Sequence, residues 1–125
     1  MCEMCDGGYR TGADLRARVV RTIENFGWLV QFVEADERWP SLAYTVGLTA
    51  SEVPEVYVVG MGPQAAGGLL NHVAELCIAG QAGRGSRIAG PDGREYVLAD
   101  GSPEGLYVAL EVYGSSVRAM LLRAV

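Results

Sequence analysis

The sequence predicts an α+β protein: one mixed or mainly antiparallel sheet of about six strands, with two helices packed on one face. Three observations carry this expectation. Two stretches, from Asp14 and from Gly62, repeat apolar residues at three- and four-residue spacing. Short alternating apolar runs fill most of the remainder and are separated by Gly- and Pro-bearing turns. The chain is 125 residues long and half hydrophobic, which suits one domain over 1–125 with a core that needs no staples.

Residues 1–12 show no periodicity and read as an N-terminal segment around Cys2, Cys5 and Asp6. Leu15, Val19, Ile23 and Phe26 then form one helical stripe, with Thr11 or Asp14 to cap its start and Gly27 to stop it. "WLVQFVEA" alternates as a strand. "DERWP" breaks the pattern, because Pro40 cannot join the ladder of a central strand. "LAYTVGLT" is the next strand, and "VYVVGM" from Val56 to Met61 is apolar on both faces, as in an interior strand.

Pro63 opens the second helix at its favoured first position, and Gly80 closes it. Ala66, Leu69, Leu70, Val73, Leu76 and Cys77 share one face of that helix, while Asn71 and Glu75 lie outside it. A Gly-rich loop, 80–87, leads into a hairpin with arms Arg87–Ala89 and Glu95–Ala99 around "GPDG". "LYVALEVYG" alternates and is expected to be a strand. "SVRAMLLRAV" fits strand or short helix, and the strand is favoured.

Composition narrows the functional classes. All ten basic residues are Arg, fifteen are acidic, and the net charge is −5. Arg16, Arg18 and Arg21 are the one basic cluster, and they suit a solvated helix face. Direct nucleic-acid binding is therefore not expected. No apolar run approaches the roughly 18 residues that span a bilayer, and no basic-then-apolar leader is present. A cytoplasmic location without membrane contact is the expectation. "VYVVGMGP" is a strand, a tight turn and a helix start, and lacks the full glycine spacing of a nucleotide loop.

Several segments, in order, match one pattern: "MCEMCD", "GWLVQFVEAD", "PSLAYTVGLT", "VPEVYVVGMGP", "LLNHVAE" and "LYVALEVYGSSVRAMLL". Together they resemble the bacterial family called domain of unknown function 4262, over nearly the whole chain. The resemblance implies a shared fold and a small soluble bacterial protein, and it implies no activity. Members commonly follow the Cys-Asp pair with His and Pro, where this chain has Gly7 and Gly8. They also commonly continue past the last strand into a Trp-containing tail, so a shortened member or a relative from a mobile element is expected.

The candidate chemistry is sparse. Structural zinc takes four ligands, and the chain offers Cys2, Cys5, Cys77 and one His, His72. His72 and Cys77 are five apart on a helix, so their side chains diverge by about 140°. Asp6 could replace one ligand. No strand precedes Cys2, so the CxxC lacks the setting of a thioredoxin-type redox pair. Cys77 is expected in the core. Trp39, a large aromatic in a loop beside Pro40, is a candidate partner contact. Tyr44, Thr45, Glu55, Asn71 and His72 are the remaining candidates for a ligand or partner site.

The resulting expectation is a noncatalytic binding or regulatory module with a protein or small-ligand partner, or a homo-oligomer, and no cofactor. The alternative is a thiol- or metal-dependent enzyme that uses Cys2, Cys5 and Asp6, with zinc as the metal.

Overall fold

The computed structural model describes residues 12–125. Its elements run α1 (Gly12–Phe26), β1 (Leu29–Val33), β2 (Leu42–Val46), β3 (Glu55–Val59), α2 (Pro63–Ile78), β4 (Arg87–Ala89), β5 (Glu95–Gly101), α3 (Tyr107–Tyr113) and β6 (Ala119–Ala124). Three short 3-10 turns join them, at Leu48–Ser51, Pro103–Gly105 and Gly114–Ser116.

The six strands form a single mixed sheet in the order β1-β2-β3-β6-β5-β4. Every neighbouring pair is antiparallel except β3 and β6, which run parallel at the centre. The α+β class and the six-stranded mixed sheet agree with the sequence expectation.

The helices differ from it in number and in place. Strand side chains alternate between faces, and both faces of the central strands are apolar. Ala43, Val56, Val58, Met120 and Leu122 pack with Leu69, Leu70, Val73 and Cys77 of α2. Tyr44, Val46, Tyr57 and Ala119 pack on the other side with Val19 and Ile23 of α1 and Val108 and Ala109 of α3. Among the described residues there are thus three helices, and they cover both faces. A sheet with two apolar faces would expose one of them if both predicted helices lay together.

The third helix is the segment expected as a strand, "LYVALEVYG". In so short an apolar run, periods of 2 and 3.6 overlap. Leu106, Ala109, Leu110 and Tyr113 recur at helical spacing, and Leu106 and Ala109 are buried. The Leu110 N–H donates to the Leu106 carbonyl at 2.9 Å, which closes a helical turn. The N–H of Val108 lies in the first turn and has no carbonyl within the helix to receive it. It donates instead to the Tyr44 hydroxyl at 3.0 Å, fixing α3 to the sheet.

The helix stops match their glycines. Gly27 has φ 93° and its N–H reaches the Ile23 carbonyl at 2.7 Å. At Gly80, φ is 74°, and the following Gln81 N–H reaches back to the Leu76 carbonyl at 2.8 Å. The second predicted strand is shorter than its pattern. It ends at Val46, and "LTAS" turns as a 3-10 segment.

Candidate functional site

Three of the candidate residues, Thr45 and Glu55 together and Trp39 apart from them, lie at opposite ends of the sheet. At one end, β3 begins with Glu55, whose side chain has 0% exposure. Its carboxylate accepts five hydrogen bonds. Oε1 receives the Thr45 hydroxyl at 2.8 Å and the Leu48 N–H at 3.1 Å. Oε2 receives the Gly47 N–H at 3.2 Å, the Thr49 N–H at 2.9 Å and the Thr49 hydroxyl at 2.6 Å. Thr45, equally buried, also accepts the Val56 N–H at 2.9 Å.

The chain path explains this arrangement. After β2 the backbone turns sharply at Gly47, with φ 132°. A Cβ there would lie 2.7 Å from the Gly27 carbonyl and 2.8 Å from Trp28 Cα, so only glycine fits. The N–H groups that open the following 3-10 turn have no carbonyls ahead of them. Glu55 supplies the acceptors from the adjacent strand. Sequence therefore brings Thr45 and Glu55 together, and their contacts are internal to the chain.

A shallow cavity of about 480 Å³ lies beside this cluster, lined by Thr49, Glu52, Val53, Ser116 and Arg118. Arg118 donates to the Glu52 carbonyl at 3.1 Å, and the Thr49 hydroxyl is held by Glu55. Burial, and then the charge of Glu55, push the Tyr113 phenol above its ordinary range. Sequence reasoning does not single out Thr49, Tyr113 or Arg118. A Gly-Leu-Thr run directly after a strand is the local signal for the turn, and the contacts to residues 113 and 118 are long-range.

The other candidates are dispersed. Tyr44 lies on the opposite face of β2 from Thr45, with its hydroxyl held by α3. Asn71 accepts the Trp28 indole N–H at 3.0 Å, and its neighbour His72 is half-buried. Cys77 is in the core, where burial pushes its thiol up. Cys2, Cys5 and Asp6 lie outside the described residues. Among the described residues, no three His, Cys, Asp or Glu side chains gather as a metal site would need. Nor is any helix among them long and apolar enough to cross a membrane.

The opposite end of the sheet carries Trp39, 71% exposed. Asp36 holds the loop that presents it. Its carboxylate accepts the N–H groups of Arg38 at 2.8 Å and Trp39 at 2.9 Å, and its own N–H donates to the Trp39 carbonyl at 2.9 Å. Those two backbone donors lower the Asp36 carboxyl from its ordinary range. The pairing register places Val33 and Val59 at the same end, since Leu42 pairs with both. Val125 joins them, its N–H on the Glu95 carbonyl at 3.0 Å. Four of the seven exposed large apolar residues among the described residues are therefore at this end.

Here the sheet also opens. The β3–β6 ladder covers only Glu55–Tyr57 against Ala119–Leu121, although β3 continues to Val59 and β6 to Ala124. A cavity of about 410 Å³ lies at this end, with residues of both strands in its lining; Val59, Met61, Arg94, Tyr96, Leu122 and Arg123 are among them. Arg123 makes no ion pair among the described residues. No feature of the local sequence marks this cleft, because it depends on which strand β6 chooses as neighbour.

No curated protein and no solved structure matches the chain. One family model does, described as Domain of unknown function (DUF4262), over residues 22–123. The match runs from within α1 to Arg123 in β6, one residue short of that strand's end, and so includes most of the sheet. The chain belongs to the DUF4262 family.

Proposed function

We propose that this chain is a noncatalytic binding or regulatory module that docks a protein partner on the Trp39 end of its sheet. One observation carries the reading: Val33, Trp39, Val59 and Val125 are exposed at the same end, around an open cleft. Single exposed apolar residues are ordinary on a protein surface, whereas a group of them, including an aromatic, marks an interaction surface. The Asp36 turn presents Trp39 in a fixed position, which lowers the ordering cost of docking. Glu55 supports the noncatalytic part of the reading, because all five of its bonds go to its own chain.

The test is site-specific photocross-linking in cells of the organism that encodes the chain. A photoreactive phenylalanine analogue replaces Trp39 in one variant and Ile78 or Tyr107 in two controls. Those two residues are also exposed and apolar. A discrete protein adduct from position 39, absent from the controls, is the expected result. Adducts of equal yield from all three positions, or from the controls alone, would refute the reading.

A further inference from the structure

The cleft between β3 and β6 has directional chemistry as well as apolar walls. Along a strand, the N–H and C=O of one residue point to the same side, and those of the next residue to the other side. The Glu55 N–H donates to the Arg118 carbonyl, so odd-numbered residues of β3 face β6. The Gly60 N–H donates to the Ser41 carbonyl, so even-numbered residues face β2. On β6, the Val125 N–H faces β5 through Glu95, so Leu122 and Ala124 face β3. Beyond the last pair, Tyr57 with Leu121, the Val59 N–H and C=O therefore look across the gap. They face the Leu122 C=O and the Ala124 N–H, and no strand lies between.

Each wall thus presents one donor and one acceptor at strand spacing, which an extended peptide backbone complements by adding a strand. The gap closes at Tyr57 and Leu121, so an inserted strand cannot pass through and must end inside. Arg94 and Arg123 both line the cavity. Asp92 shares the field of Arg94, and Arg123 is unpaired among the described residues. Two guanidinium groups repel a chain's terminal ammonium and favour its terminal carboxylate. The volume, about 410 Å³, is in the range of small ligand sites.

We propose that the β3–β6 cleft binds the carboxy-terminal end of an extended peptide, its backbone paired with Val59 and Ala124 and its carboxylate held by Arg123, with Arg94 adding positive charge at the mouth. The inference rests on the docking reading and names the part of the partner that enters the sheet. Trp39 and Val33 flank the site and contact the partner's residues outside the cleft.

The experiment uses the full 125-residue chain, labelled with nitrogen-15 and observed by amide NMR. The probes are acetyl-Val-Thr-Val-Val as the free acid, the same peptide as its carboxamide, and acetate alone, each titrated into the millimolar range. The acid is expected to shift the Val59 and Ala124 amides in a saturable way. Loss of charge-assisted bonds should make the carboxamide about tenfold weaker or more. Arg123→Ala, at an exposed position, should keep the fold and remove the preference for acid over carboxamide. Equal affinity of acid and carboxamide, equal shifts with acetate, or a preference that survives Arg123→Ala would each overturn the proposal. If the peptide acid moves neither amide while position 39 still cross-links, this inference fails and the docking reading stands.

Discussion

Replacing Glu55 tests whether the buried carboxylate is the structural centre of the β2–β3 turn. Glu55→Gln keeps size and shape. The amide NH2 group must take the place of one carboxylate oxygen, and both oxygens face donors. At Oε2 it would meet the N–H groups of Gly47 and Thr49. At Oε1 it would meet only one backbone N–H, that of Leu48, beside the Thr45 hydroxyl. The second orientation is therefore chosen, and one buried N–H is left opposite another donor. An unsatisfied buried donor costs about 1–3 kcal/mol, and the remaining bonds also lose their charge assistance, so the total is about 2–4 kcal/mol. Glu55→Ala leaves three backbone donors without an acceptor. With water reaching Thr49, which is half-buried, the cost is about 3–6 kcal/mol.

These costs compare with a total stability of about 6–19 kcal/mol for a chain of 125 residues. Urea unfolding followed by tryptophan fluorescence and far-ultraviolet circular dichroism measures them. At a slope of about 1–3 kcal/mol per molar, the Gln variant should lose on the order of 1–2 M in its midpoint. The Ala variant should lose more. A Gln variant within about 0.5 kcal/mol of the parent, the range of an ordinary surface change, would refute the reasoning.

Three further outcomes are expected. Gly47→Ala should destabilise by about 3 kcal/mol or more, since it combines positive-φ strain with a backbone clash. Gly27→Ala, where φ is also positive but the space is open, should cost about 1–2 kcal/mol in the same urea assay. At alkaline pH, burial raises the Cys77 thiol above its ordinary 9.0 and the phenols of Tyr44 and Tyr113 above 10.0. Each proton then leaves the unfolded chain first, the folded chain holds more protons, and stability falls as pH rises. The melting temperature should be level with respect to these groups below pH about 9 and decline towards 11, less steeply above 10 in Tyr113→Phe. A flat profile, or one rising with pH, would contradict this.

Legibility in the sequence follows the range of the interactions. The turn-bounded strands are readable because alternation and punctuation are local: the hairpin arms Arg87–Ala89 and Glu95–Gly101 lie within two residues of their expected bounds. The helix stops at Gly27 and Gly80 are readable for the same reason. The helix α3 reads as a strand because 106, 109, 110 and 113 share residues with an alternating pattern, and its contact with Tyr44 is 64 residues distant. The placement of helices on both faces depends on strand pairing, which no local pattern reports. At the site, Trp39 stands out as an aromatic beside a proline. Glu55 stands out as a charge at the start of an apolar run, though its partners do not. The cleft is invisible, because β6 lies beside β3 only through a crossover of two helices and a hairpin.

The parting of β3 from β6 is the feature on which the binding surface depends, and amide hydrogen exchange in the free protein tests it directly. Val58 pairs with Ala43, and its N–H faces β2, so it should be strongly protected. The N–H groups of Val59 and Ala124 lie in equally central strands but face the gap, and they should exchange far faster than Val58. Protection of Val59 and Ala124 equal to that of Val58 would mean that the two strands are zipped to their ends, and would remove the cleft.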